Sequence, residues 1–222
     1  MARATGGLLD PGWSKTKWLT TLACRVKVTR MNVALTHPWT DEQFLNWAAA
    51  QEGRYEFDGL RPVAVTGGTA RHSRITLNIR VALRSRLRGT QCSSFGPDLG
   101  VRTSGGAIRF PDALVTCSKF PETERLAPDV QVVFEVLSAD SGRRDRIDKV
   151  REYAAVPSIR HYIIVESAGV GLLALHRQGG DDAWTVLTLT GDDILSLPAI
   201  GVDIPVAEFY ESVDFSDATA AG

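Results

Sequence analysis

The chain has 222 residues, 44% of them hydrophobic and 23% charged, enough to bury the core of one large domain or two small ones without covalent help. Its formal net charge of -1 at pH 7 excludes a uniformly basic body that coats nucleic acid and leaves only local basic patches for such contacts. The three cysteines, Cys24, Cys92 and Cys117, are odd in number and scattered, so their spacing reveals neither a disulfide framework nor paired zinc ligands. No apolar run is long enough to span a bilayer and the first thirty residues lack a secretory apolar segment, so the expectation is a soluble protein in a reduced, cytoplasmic compartment.

Residues 1–30 carry Arg3, Lys15, Lys17, Arg25, Lys27 and Arg30 against the lone acid Asp10, with no periodic core face. Three readings compete for this extension: a basic disordered tail, an amphipathic partner-binding helix, or a stretch upstream of an unused start codon, Met31 being the next methionine. The domain proper is expected over residues 31–213, with 214–222 as a flexible tail. Thr40 can cap a helix through Leu45 and Trp47, with Asp41 and Glu42 at the positive end of its dipole. Tyr55-Glu56-Phe57 and Pro62-Val63-Ala64-Val65 flank Asp58-Gly59, a hairpin signal. Gly67-Gly68-Thr69 then opens a helix from about Ala70 to Arg88, whose buried stripe is Ile75, Ile79, Ala82, Leu83 and Leu87. Arg80, Arg84 and Arg88 line another face of it; such a row is either a solvated face or a track for a phosphate backbone.

Short strands follow around 94–101 and 107–117, joined by the turn Ser104-Gly105-Gly106, and then the apolar run Val130 to Leu137. A charged helix begins near Ser141 or Gly142 and ends around Ala155, before Pro157. Ile159 to Val165 is a further strand, and 172–176 with 184–189 form a last hairpin around Gln178-Gly179-Gly180-Asp181. This order is α/β or α+β, not a bundle or a sandwich.

Two acids stand where acids are costly. Glu135 interrupts Val132-Val133-Phe134 and Val136-Leu137; unpaired, a carboxylate there loses hydration worth several kcal/mol or stays protonated, so a cation or strong donors must be near. An arginine partner is the plain alternative. Asp112 follows Pro111 inside Arg109-Phe110-Pro111-Asp112-Ala113-Leu114-Val115, and a proline there marks an edge, a strand start or a bulge that can aim the next side chain into a cleft. Two carboxylates on neighbouring strands suit Mg²⁺ or Mn²⁺, and such an ion suits phosphodiester hydrolysis. There is no H-E-x-x-H, G-x-S-x-G or Walker loop, which argues against zincins, serine hydrolases and P-loop enzymes.

The ordered set Tyr55-Glu56-Phe57-Asp58-Gly59, His72, Pro111-Asp112, Glu135-Val136-Leu137-Ser138, Asp145, Lys149 and Tyr153 before Tyr162-Ile163-Ile164-Val165 resembles the Uma-two (Uma2) family of bacterial restriction-endonuclease-like proteins over about Asp41 to Tyr210. The resemblance implies a PD-(D/E)XK fold, a mixed central sheet flanked by helices, and a Mg²⁺-dependent DNA endonuclease in which Asp112 and Glu135 bind metal, with Glu56 as a further candidate ligand. DNA is then the substrate, and a homodimer is an allowed assembly. The superfamily's lysine two residues after the second acid is here Leu137; in this family a lysine of the following helix can take its place, and Lys149 matches it. Asp145, Lys149 and Tyr153 recur every four residues and share a face, while Ile147, Val150 and Ala154 are expected to face the core. An ordinary helical salt bridge between Asp145 and Lys149 is the bland alternative. His72, at a helix start, is either a phosphate donor or a simple cap. The rival from another class is a catalytically silent nucleic-acid- or partner-binding module on the same fold.

Overall fold

The computed structural model describes residues 39–137, 143–177 and 183–216, with the backbone alone for 143–146. The extension 1–30, Cys24, Met31, His37 and the 178–182 turn lie outside the described residues, as does the side chain of Asp145. Helix α1 (Asp41–Ala49) starts at a capping box: the Thr40 hydroxyl accepts from the Gln43 N–H at 3.2 Å, and the Gln43 side chain accepts from the Thr40 N–H at 2.8 Å. The hairpin of β1 (Arg54–Phe57) and β2 (Pro62–Val65) follows, with Gly59 at φ 91° in its turn, a conformation that favours glycine. Helix α2 (Ala70–Arg86) is capped by Thr69.

The stretch 93–117 departs from expectation. It forms four short strands: β3 (Ser93–Phe95), β4 (Val101–Arg102), β5 (Ile108–Arg109) and β6 (Ala113–Thr116). β4 and β5 join β1 and β2 in a small sheet of order β2-β1-β5-β4, whereas β3 and β6 belong to the large sheet. Pro111, which cannot donate to a ladder, separates β5 from β6. The large sheet continues with β7 (Val130–Val136), β8 (His161–Val165), β9 (Leu172–His176) and β10 (Thr185–Leu189), in the order β10-β9-β8-β7-β6-β3. Only β7 and β8 run parallel there, and α3 (Arg143–Ala154) is the crossover between them. A further hairpin, β11 (Ile194–Leu197) with β12 (Val202–Pro205), is not expected from the sequence.

The large sheet is covered on both faces. On one, Ile75, Ile79, Ala82, Leu83 and Leu87 of the α2 region pack with Val132, Phe134, Ile163, Leu195 and Ile204. On the other, Tyr153 of α3 packs with Val133, Tyr162 and Ile164. The face of α3 differs from expectation: Ile147 is 50% exposed, whereas Tyr153 is fully buried. Cys92 and Cys117 are joined by a disulfide, because β3 and β6 pair Ser93 with Thr116 and bring the next residues out side by side. With a disulfide in the fold, a reduced compartment no longer follows from the cysteine count. Among the described residues, no helix is long and apolar enough to cross a membrane.

Candidate active site

Where the small and large sheets meet, a cleft of about 440 Å³ is lined by Glu56, His72, Arg109, Asp112, Glu135 and Lys149, together with residues 63–68 of β2 and the segment after it. Each side chain arrives from a different element. β1 carries Glu56, α2 brings His72 in its first turn, the Pro111 break aims Asp112, β7 supplies Glu135, and the crossover helix brings Lys149 and Tyr153 over the sheet.

Asp112 Oδ2 accepts the Val136 N–H at 2.8 Å and lies 3.3 Å from His72 Nε2. That contact with Asp112, opposed by burial, raises the imidazole's pKa. Glu135 Oε1 accepts from the Tyr153 hydroxyl at 3.0 Å and from Lys149 Nζ at 3.3 Å. Burial raises the Glu135 pKa to about 7, against the pull of Lys149 and with a push from Asp112; burial and then Glu135 likewise hold the Tyr153 phenol well above its ordinary value. Glu135 is thus poised between its two protonation states near neutrality.

The cleft also holds an ion-pair network. Arg109, 6% exposed, donates to Glu152 at 2.7 Å twice, a bidentate fork, and to Glu56 Oε2 at 2.9 Å. Burial opposes the charge of Arg109, but Glu152 and then Glu56 outweigh it and hold the guanidinium protonated. Glu56 Oε1 accepts the Phe110 N–H at 3.3 Å and lies 3.7 Å from Lys149 Nζ. Arg109 and Glu152 were not singled out from the sequence. The signal was nonetheless there in Arg109, a charge in a short apolar strand, the same oddity that marks Glu135.

The donor chemistry can be tested against a divalent ion. Asp112 and Glu135 each commit one oxygen to the protein, while Asp112 Oδ1 and Glu135 Oε2 accept no hydrogen bond from a described residue. Two unclaimed carboxylate oxygens facing one cleft fit a hard cation whose remaining positions are water. Among the described residues no group of three or more His, Cys, Asp or Glu is placed to hold an ion. Both oxygens of Glu56 are already engaged. Arg80 and Arg84 are exposed on α2, Arg88 is exposed just past the helix, which ends at Arg86 and not at Arg88, and none of the three lines the cleft.

Residues 41–207 match the model of the family described as "Putative restriction endonuclease", Uma2. The chain belongs to the Uma2 family. Two uncharacterized proteins of Synechocystis sp. are similar to it, one 28% identical over 178 residues (78% of this chain and 92% of the relative), the other 23% identical over 167 residues (73% and 94%). A crystal structure of a "putative nuclease belonging to DUF820" from Anabaena variabilis ATCC 29413 superimposes with a TM-score of 0.62 at 15% identity, covering 78% of this chain and 98% of that one. The Uma2 chain therefore has the restriction-endonuclease-like fold.

Proposed function

We propose that this Uma2 protein is a Mg²⁺- or Mn²⁺-dependent endonuclease that hydrolyses DNA phosphodiesters. The observation that carries the reading is the pair of unclaimed oxygens, Asp112 Oδ1 and Glu135 Oε2, on one cleft beside the Lys149 ammonium. Asp112 and Glu135 would hold the cation, which supplies charge neutralisation at phosphorus and acidifies water. Tyr153, donating to Glu135 Oε1, holds that carboxylate in place and leaves its other oxygen available. The Val136 N–H and His72 do the same for Asp112.

Lys149 serves as the cation that meets charge growing on the phosphate or the attacking hydroxide, in place of the absent lysine at 137. Glu56, pinned by Arg109 and the Phe110 N–H, stands 3.7 Å from Lys149 Nζ and helps hold that side chain. Arg80 and Arg84 of α2, with Arg88 just past its end, supply phosphate contacts beyond the cleft. The test is cleavage of plasmid and linear DNA with Mg²⁺ or Mn²⁺: Asp112→Asn and Glu135→Gln should each abolish it while calorimetric titration shows lost ion binding and thermal melts show a folded protein. Wild-type protein that binds neither ion and cuts no form of DNA would favour the silent binding module.

A further inference from the structure

A second polar feature lies on the opposite face of the large sheet, toward the other end of β8. His161 pairs with Val132 on β7 and with His176 on β9, whereas Glu135 stands three residues further along β7, roughly 10 Å away at strand rise. Alternation also separates the faces. Val132 belongs to the core under α2, and Val133 and Leu137, on the face of Glu135, belong to the core under α3.

The rings of His161 and His176 lie 6.3 Å apart, centroid to centroid, with 27° between their planes. They line a cavity of about 200 Å³ whose other walls include Leu187, Leu195, Ser196 and Pro198. His161 is 3% exposed, yet among the described residues neither ring has a hydrogen-bond partner. Neither ring's nitrogens count among the buried polar atoms left without a partner, where Thr76 Oγ1 stands alone among the described residues, so they open onto the cavity. Burial, and then the neighbouring His176, lowers the His161 pKa to about 4, so the ring is neutral at ordinary pH and keeps a lone pair on one nitrogen.

Two imidazoles held side by side on adjacent strands in a largely apolar cavity offer nitrogen donors, which suit zinc, nickel or copper and not the oxygen-seeking Mg²⁺ or Ca²⁺. We propose that His161 and His176 form a second cation site, specific for borderline transition ions and separate from the carboxylate cleft. No third His, Cys, Asp or Glu joins them among the described residues, so the Ser196 hydroxyl and water complete the shell and the site is open and exchangeable. An ion held there ties β8 and β9 to each other at the wall formed by β11.

The test uses the full chain carrying Asp112→Asn, stripped with chelator and titrated with Cu²⁺ and, separately, Zn²⁺. One Cu²⁺ should bind with the electron paramagnetic resonance pattern of two imidazole nitrogens, and Zn²⁺ should raise the melting temperature. His161→Val and His176→Asn should each weaken binding at least about tenfold. His161→Val, which suits the buried strand, should melt no lower than its parent without metal, so its loss of binding is not unfolding. Copper affinity unchanged in both variants, a one-nitrogen spectrum, or no saturable binding at micromolar ion would overturn the proposal.

Discussion

Replacing Arg109 by methionine tests whether the ion-pair network supports the cleft. The substitution keeps an unbranched apolar stem in the same slot and removes only the guanidinium. Glu56, with a side chain 7% exposed, and Glu152, at 21%, would then face each other without their shared counter-ion. Removing one partner of a buried pair generally costs about 3–5 kcal/mol. The lower end applies here, because Glu56 keeps the Phe110 N–H and Lys149 at 3.7 Å, and Glu152 is exposed enough to turn toward water. About 3 kcal/mol corresponds to a fall in Tm of roughly 6–12 °C for a domain of this size. Scanning calorimetry at neutral pH with chelator present reads this directly. Arg109→Lys should recover less than half, since an ammonium cannot form the two-pronged contact with Glu152, and Glu152→Gln should cost only about 1 kcal/mol because Arg109 retains Glu56. If Arg109→Met melts within about 2 °C of the parent, or Arg109→Lys is indistinguishable from it, the network does not hold the cleft and the reasoning fails.

Lys149→Met should lower turnover by about a hundredfold with metal affinity nearly unchanged; full activity in that variant would leave catalysis to another cation. Because the Glu135 pKa is raised to about 7 and a bound cation needs the carboxylate ionised, Mn²⁺ affinity measured by calorimetry should fall about tenfold per pH unit below 7, and a flat profile down to pH 5 would contradict this. His161, lowered from 6.5 to about 4, takes up its proton more readily in the unfolded chain, so its contribution to stability is intact above 6.5 and is lost as pH falls toward 4, by about 3 kcal/mol at about 1.4 kcal/mol per unit. Metal-free Glu135 acts with the opposite sign in an overlapping window, so the quantity to measure is the stability difference between wild type and His161→Val at each pH; that difference should move toward the variant on acidification. Protein beginning at Met31 should melt within a few degrees of the full chain, and a larger drop would make residues 1–30 part of the fold.

Long periodic segments were legible: the α2 stripe from Ile75 to Leu87 is buried as a 3.6-residue pattern requires, and the β7 run emerges as one seven-residue strand. The meeting of Asp112 and Glu135 at one cleft could be anticipated because both acids break apolar context. The face of α3 could not be read by hydrophobicity. Glu135 draws Lys149 and Tyr153 inward and the Arg109–Glu152 fork holds the same helix, while Ile147 is left half in water. Long-range register decides such a choice, and hydropathy does not see it. The disulfide was hidden for a similar reason, since 25 residues separate Cys92 and Cys117 and only the pairing of β3 with β6 brings them together. β11 and β12 are four residues each, with alternating burial, too short for periodicity to stand out from the loops around them.

The bend at Pro111 has a mechanical consequence. One unbroken stretch of backbone serves as β5 of the small sheet and, after three intervening residues, as β6 of the large one, and Asp112 stands at the joint. The β1–β2 hairpin, joined to that stretch through the Phe57–Ile108 pairing, is the long arm of the lever. Its β2 side overhangs the cleft with Val63 and Val65 in solvent. Any shift of this hairpin would reach Asp112 through the Phe57–Ile108 pairing and the backbone from β5 to β6, and through no helix.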